Sequence, residues 1–220
     1  SRIIAMSPHA GETEQFASTE LARYLRRITG QPWRIVRSGT AAGGIQLKVR
    51  RRTKRPRIPV REEDEAYTID VNNDRVALSG GSPRAVLFAV YAFLEDLGCR
   101  WFSPRLACYR GVGHEFVPRR KSLAPPMGRR VVRPSMLYRD WLIEECRSQS
   151  IPDASAMIDW MAKVRANVFF APIDYQHSGR FTWENIRASI IPEISKRGLI
   201  LTVGGCLLYT SPSPRDRGWA

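Results

Sequence analysis

Lysine is scarce in this 220-residue chain: five residues, against thirty arginines in a basic total of 35. No uncharged apolar run approaches the roughly 18–20 residues of a membrane-spanning helix, so no membrane partner is expected. The four cysteines, Cys99, Cys108, Cys146 and Cys206, form no CxxC pair and no Cys/His cluster of zinc spacing. They read as ordinary buried or free thiols, and neither a metal nor a cofactor is expected. No GxGxxG follows the apolar runs Ile3–Met6 or Ser135–Ile143, which removes the main signature of a dinucleotide site. The chain opens at Ser1 with neither an initiator methionine nor a charged-then-apolar leader, so a start inside a longer protein or after processing is expected.

What is present is ordinary in bulk and unusual in charge. Hydrophobic residues make up 43% and charged residues 25%, enough for a packed core. The formal charge is +14. Residues 48–61 carry eight basic side chains and residues 119–133 six, together equal to the whole excess. A basic chain suggests nucleic acid. Neither stretch interleaves aromatics or offers a recognition helix, and Glu62–Glu65 follow the first directly. No specific nucleic-acid partner is expected. Non-specific polyanion adhesion at low salt stays open.

The periodicities divide the chain in two. Arg2–Met6 reads as a strand, and Glu12–Ile28 as a helix with apolar residues three and four apart, stopped by Gly30 and Pro32. Trp33–Val36 and Ile45–Val49 are further strands, and Tyr67–Val71 with Val76–Ser79 reads as a hairpin. Gly80-Gly81-Ser82-Pro83 opens a broadly apolar helix that ends at Gly98, with a buried strand or strand exit at Cys99–Pro104. Val117–Pro134, rich in proline and basic residues, reads as a linker. Regular alternation follows: strand Ser135–Ile143, helix Ala154–Arg165 capped by Asp153, strand Asn167–Ile173, helix Trp183–Arg197, strand Leu199–Val203. Such alternation predicts a parallel sheet, of either a Rossmann type or a (β/α)₈ barrel.

The end of the chain has another character. Cys206–Asp216 reads CLLYTSPSPRD, without periodicity, and resembles one reading frame of the transposon-end adapter used to prepare sequencing libraries. Cys206–Ala220 is therefore read as translated adapter, and the authentic sequence is expected to stop near Gly205.

GGSPRAVLFAVYAFLEDLGCRWFSP (Gly80–Pro104) resembles a segment in the N-terminal domains of α-glucuronidases and β-N-acetylhexosaminidases. There a glycine-rich turn leads a helix that ends in a Leu-Glu…Gly-Cys-Arg-Trp-Phe-x-Pro pattern. FASTELARYLRRITG (Phe16–Gly30) is similar to the first helix of the same domain, A-x-E-L-x-x-Y-L-x-x-I-T-G. The resemblance spans roughly residues 1–205. It implies an α/β fold: a sandwich-type N-terminal α/β domain over residues 1–117, a linker over 118–134, and the first three βα units of a truncated (β/α)₈ barrel over 135–205.

The implied activity is glycoside hydrolysis on an oligosaccharide or polysaccharide-derived substrate, by an exported parent protein. In those families the catalytic carboxylates lie on barrel strands later than the third, so no catalytic residue is expected here. Substrate-binding candidates are Arg139, similar in position to a sugar-holding arginine of the hexosaminidases, with Trp141 beside it and Asp174 and Tyr175 after the second strand. The alternative is a non-catalytic module that binds carbohydrate or polyanions through the arginine-rich loops. Oligomeric state is not legible.

Overall fold

The computed structural model describes residues 2–38, 43–50, 56, 58–107, 114–142, 150–172 and 182–204. Its first half is a six-stranded sheet built from β1 (Ile3–Ala5), β2 (Arg34–Val36), β3 (Ile45–Val49), β4 (Tyr67–Val71), β5 (Val76–Gly80) and β8 (Gly128–Val132), in the order β2-β1-β3-β5-β4-β8. The first four strands in that order are parallel, while β4 runs antiparallel to both β5 and β8. Residues alternate across the pleat, and Ile4, Leu47, Leu78 and Ile69 bury one face. That face is covered by α1 (Glu12–Thr29) and α3 (Pro83–Asp96). A short two-stranded ribbon, β6 (Arg100–Trp101) with β7 (Glu115–Phe116), follows α3.

Local chemistry accounts for these helices. In α1 the Glu14 carboxylate accepts the Gly11 N–H at 3.0 Å, and Gly30 closes the helix in the left-handed region at φ 71°. Ser82 caps α3 by accepting the Ala85 N–H, with Pro83 in the first turn, where a missing donor costs nothing. The two glycines before that cap are there for space. A Cβ on Gly80 would meet the Val86 nitrogen at 2.4 Å, and one on Gly81 the Glu63 carbonyl oxygen at 1.7 Å. Gly81 thereby lets the β5–α3 turn lie directly on the short helix α2 (Glu62–Glu65).

The second half is a three-stranded parallel sheet in the order β11-β10-β9: β9 (Asp140–Leu142), β10 (Val168–Pro172) and β11 (Ile200–Gly204). Helix α4 (Ile151–Lys163) connects the first pair. The second connection is α5 (Trp183–Asn185), a π-turn over Ile186–Ile190, and α6 (Ile191–Arg197). Helix α4 packs on α3, and α6 on α1. The layers therefore run six-stranded sheet, α1 and α3, α4 and α6, three-stranded sheet. One continuous apolar cluster joins them, from Ile4 through Leu21 and Phe88 to Met161 and Phe169. Helix α3 is buried on nearly every side because it lies between a sheet and another helix.

Three sequence expectations are corrected. Residues Gly128–Val132, read as linker, form the sixth strand on the open edge of β4. Helix α4 begins at Ile151 rather than Ala154; Ser150 is its cap, accepting the Asp153 N–H at 3.2 Å, while Asp153 accepts the Ala107 N–H at 2.8 Å. The helix read over Trp183–Arg197 contains a π-turn. Pro192 has no N–H to return to the preceding turn, and the wider turn before it carries the Ile191 N–H to the Ile186 carbonyl.

Charged side chains tie α4 to α6. Asp159 accepts from Lys163 and from Arg197 Nη2 at 2.8 Å, and Glu193 accepts from Arg197 Nη1 at 2.6 Å. Burial raises the Asp159 carboxyl, but the Lys163 and Arg197 charges outweigh it and hold the group below its ordinary range. Glu193 is lowered in the same way, burial being opposed by Lys196 and Arg197.

Two predictions follow from this packing. Gly81→Ala should destabilise the protein by about 3 kcal/mol or more, against about 1–2 kcal/mol for Gly30→Ala, which meets no atom and strains only φ; urea unfolding compares them. Carboxyls depressed in the folded state stabilise it fully above their unfolded values and lose that contribution as pH falls below them. The urea midpoint should therefore fall from pH 5 to pH 3, and Asp159→Asn should flatten the drop.

Candidate functional site

In parallel βα sheets the loops leaving the C-terminal ends of the strands form the site. Here those ends are Leu142, Pro172 and Gly204. Asp174 and Tyr175, and with them His177 and Glu144, lie outside the described residues. The two remaining candidates are placed, and neither stands among those loops.

Arg139 precedes β9, at the entry end of the strand rather than its exit. Each guanidinium nitrogen donates once: Nε to the Arg165 carbonyl at 2.7 Å, Nη1 to the Met136 carbonyl at 2.6 Å and Nη2 to Glu65 Oε2 at 2.7 Å. The Phe88 ring lies 5.7 Å from its central carbon. Trp141 is on β9, on the face that also carries Phe169 and is covered by helices. It meets the Trp160 ring of α4 edge to face at 5.1 Å and remains 47% exposed.

What the structure brings together instead is a junction built on Glu65, at the end of α2. Its carboxylate is fully buried. One oxygen accepts from Nε and Nη2 of Arg84, in the first turn of α3; the other accepts from Arg139 and, at 3.1 Å, from Asn167 Nδ2. Arg84 also donates to the Gly198 carbonyl at 2.6 Å. The Asn167 amide donates to the Leu137 carbonyl at 2.7 Å and accepts the Arg139 N–H at 2.8 Å. Arg139 and Asn167 immediately precede β9 and β10, and Gly198 stands two residues before β11. One carboxylate thus ties the entry ends of all three strands to the six-stranded sheet. Every oxygen of the carboxylate is bonded to a donor on another element, so the junction positions the strands. Sequence reading missed Glu65, Arg84 and Asn167, because one acidic residue in a run of four carries no mark of burial.

The strand face opposite the helices carries Asp140, Val168 and Ile200 in one row and Phe170 and Thr202 in the next. Val60 closes the entry end, packing on Val168 and Ile200 while its N–H is accepted by the Tyr138 hydroxyl at 3.0 Å. Among the described residues no group of three His, Cys, Asp or Glu side chains is arranged to hold a metal ion. Cys99 is a buried free thiol, pushed by burial up to about 12. Several arginines of the basic stretches are paired: Arg130 with Asp96, Arg133 with Glu62, Arg61 with Glu63.

No protein-family profile matches the chain, and no curated protein matches it. Solved structures do. A chitobiase of family GH20 from Flavobacterium johnsoniae aligns over 91% of the chain at 17% identity with a TM-score of 0.62. The GH20 β-N-acetylhexosaminidase of Streptomyces coelicolor covers 92% at 17% identity and a TM-score of 0.62. A family GH115 4-O-methyl-α-glucuronidase with specificity for decorated arabinogalactans covers 90% at 13% identity and a TM-score of 0.61. The chain shares its fold with glycoside hydrolases. It spans 30%, 42% and 28% of those three chains, in the same order, and at such identities the likeness is one of fold.

Removing the central carboxylate tests the junction. Glu65→Gln leaves Arg84 buried without its counter-charge, and should cost about 3–5 kcal/mol in chemical unfolding. Arg133→Gln, which breaks a surface pair, should cost at most about 1 kcal/mol.

Proposed function

We propose that the chain is the N-terminal part of a carbohydrate-active glycoside hydrolase, in which β9, β10 and β11 with their helices are the first three βα units of a (β/α)₈ barrel. The observation that carries this reading is the pair of layers itself. A parallel sheet in sequential strand order is docked by its helices onto the helices of a separate mixed sheet, and this whole arrangement overlays hexosaminidase and glucuronidase structures over about nine-tenths of the chain. In this reading the mixed sheet supports the barrel from its entry end through Glu65, and substrate meets the loops at the opposite end.

Glycoside hydrolysis takes two carboxyl groups across one scissile bond, or one with a substrate acetamide. On this reading they come from strands outside these residues, and the chain alone lacks them. Asp174 and Tyr175, following β10, are the proposed sugar contacts: a carboxylate accepts from paired hydroxyls and a phenol supports the ring. The substrate is an oligosaccharide, and the parent protein is exported. A polyanion-binding module is less well supported, since Arg61, Arg130 and Arg133 are each paired with a carboxylate of the same fold.

The parent gene, read through the position of Cys206, supplies the test. Its product is expected to hydrolyse an aryl β-N-acetylglucosaminide or an aryl α-glucuronide, and the 220-residue chain neither. Asp174→Asn in the parent should raise KM about tenfold, the loss of one charged hydrogen bond. A parent without acidic residues at later strand ends, or hydrolysis by this chain alone, overturns the reading.

A further inference from the structure

A cleft of about 330 Å³ lies between α1, the β6–β7 ribbon and α4. Its lining includes no residue of β9, β10 or β11. Its volume falls at the low end of small-molecule sites, about 300–1000 Å³. Residues from both halves of the chain line it, so it exists only when they are docked.

The floor is rigid. The Trp101 indole N–H donates to the Tyr24 hydroxyl at 3.0 Å, and that hydroxyl donates to Glu115 Oε2 at 2.8 Å. Trp101 is also held edge to face by Tyr24 and Tyr91, with ring centres 5.6 and 5.4 Å away. Pro104, Ala156 and Trp160 supply apolar wall, and the Trp160 indole N–H is anchored on the Trp101 carbonyl at 3.2 Å. The walls thus offer flat apolar surface whose own polar atoms are already satisfied.

The charge is unbalanced in one direction. Glu115 and Asp159 both line the cleft. Burial raises each, but Tyr24 and Arg27 lower Glu115, and Lys163 and Arg197 lower Asp159, so both are ionised and already matched by cations. Glu20 behind the wall is taken by Arg23 through two bonds of 2.8 Å. Among the lining residues Arg23, Arg105 and Lys163 stand against Glu115 and Asp159, one cation in excess. Arg105, exposed on the rim, has no carboxylate among these pairs. Its Nη2 is 3.2 Å from His114 Nε2, which can only accept from a guanidinium and so holds it at the mouth.

We propose that this cleft binds a monosaccharide-sized ligand carrying an oxyanion, either a sugar acid or a sugar phosphate. The ring lies against Trp160 and Pro104, and Arg105 with Lys163 receives the anion. A guanidinium suits such a group because it can donate two parallel bonds to it. Because the lining comes from both layers, bound ligand also stabilises their docking, by mass action on the assembled state.

Calorimetric titration of the intact chain with glucuronate, glucose 6-phosphate, inorganic phosphate and glucose tests the proposal. One or both of the first two should bind at a single site and raise the melting temperature, with glucose at least about tenfold weaker for want of a charged hydrogen bond. Which of the two binds separates sugar acid from sugar phosphate. Arg105→Gln, at an exposed position, should weaken binding about tenfold or more without moving the ligand-free melting temperature. Ala156→Gln should weaken it by filling space. No binding by either charged sugar, equal binding of glucose or of inorganic phosphate, or unchanged affinity in Arg105→Gln overturns the proposal. None of these results depends on whether the parent hydrolyses glycosides.

Discussion

Everything beyond the first sheet is positioned through one buried carboxylate. Glu65 accepts from Arg84, Arg139 and Asn167, and these side chains or their immediate contacts stand at the starts of β9, β10 and β11. An ionised group without water requires matching donors on each oxygen, and here two guanidiniums and an amide provide them. The requirement works in reverse as well. Each donor is held to a place and a direction by a carboxylate that cannot move without losing the others. Gly81 makes the arrangement sterically possible, because only a residue without Cβ allows the β5–α3 turn to touch α2 and bring Arg84 onto Glu65.

This junction gives the second sheet an orientation. Its strand entries are held on Glu65 of α2 and on Arg84 of α3. Val60 closes the entry side further by packing on Val168 and Ile200. A second consequence is the seam between α1, β6–β7 and α4. Two charged, aromatic-rich surfaces meet there without filling the space between them. The composition's basic excess is distributed over both consequences: some arginines hold the halves together, some pair with carboxylates on the surface, and Arg105 remains at the rim of the cleft.

Much of the framework was legible before any coordinates. Phe16, Leu21, Tyr24, Leu25 and Ile28 recur at helical spacing, and α1 occupies Glu12–Thr29. Ile45–Val49 and the Tyr67–Val71 strand of the hairpin match residue for residue, because alternation and turn residues are local signals. β8 was not legible. Its sequence, Gly-Arg-Arg-Val-Val, is largely solvent-exposed on a sheet edge, where burial imposes no pattern and neighbouring prolines suggest a linker. Ser150 and Asp153 are both good caps, and only the backbone path shows that the first does the capping while the second reaches Ala107. That Arg139 stands at the entry of β9 was not legible either, since an arginine between a proline-rich stretch and an apolar run looks the same at either end.

Taken alone, the sequence determined the order of most strands and helices, the parallel character implied by their alternation, and many of the glycines and prolines that begin and end them. These are properties of a few neighbouring residues, governed by sterics and backbone hydrogen bonding. Only the tertiary structure decided which acidic residue of four would be buried, which arginines would be spent holding it, and where a cleft would remain. Those outcomes depend on groups 19, 74 and 102 residues apart meeting in one low-dielectric place, and no local pattern records such a meeting.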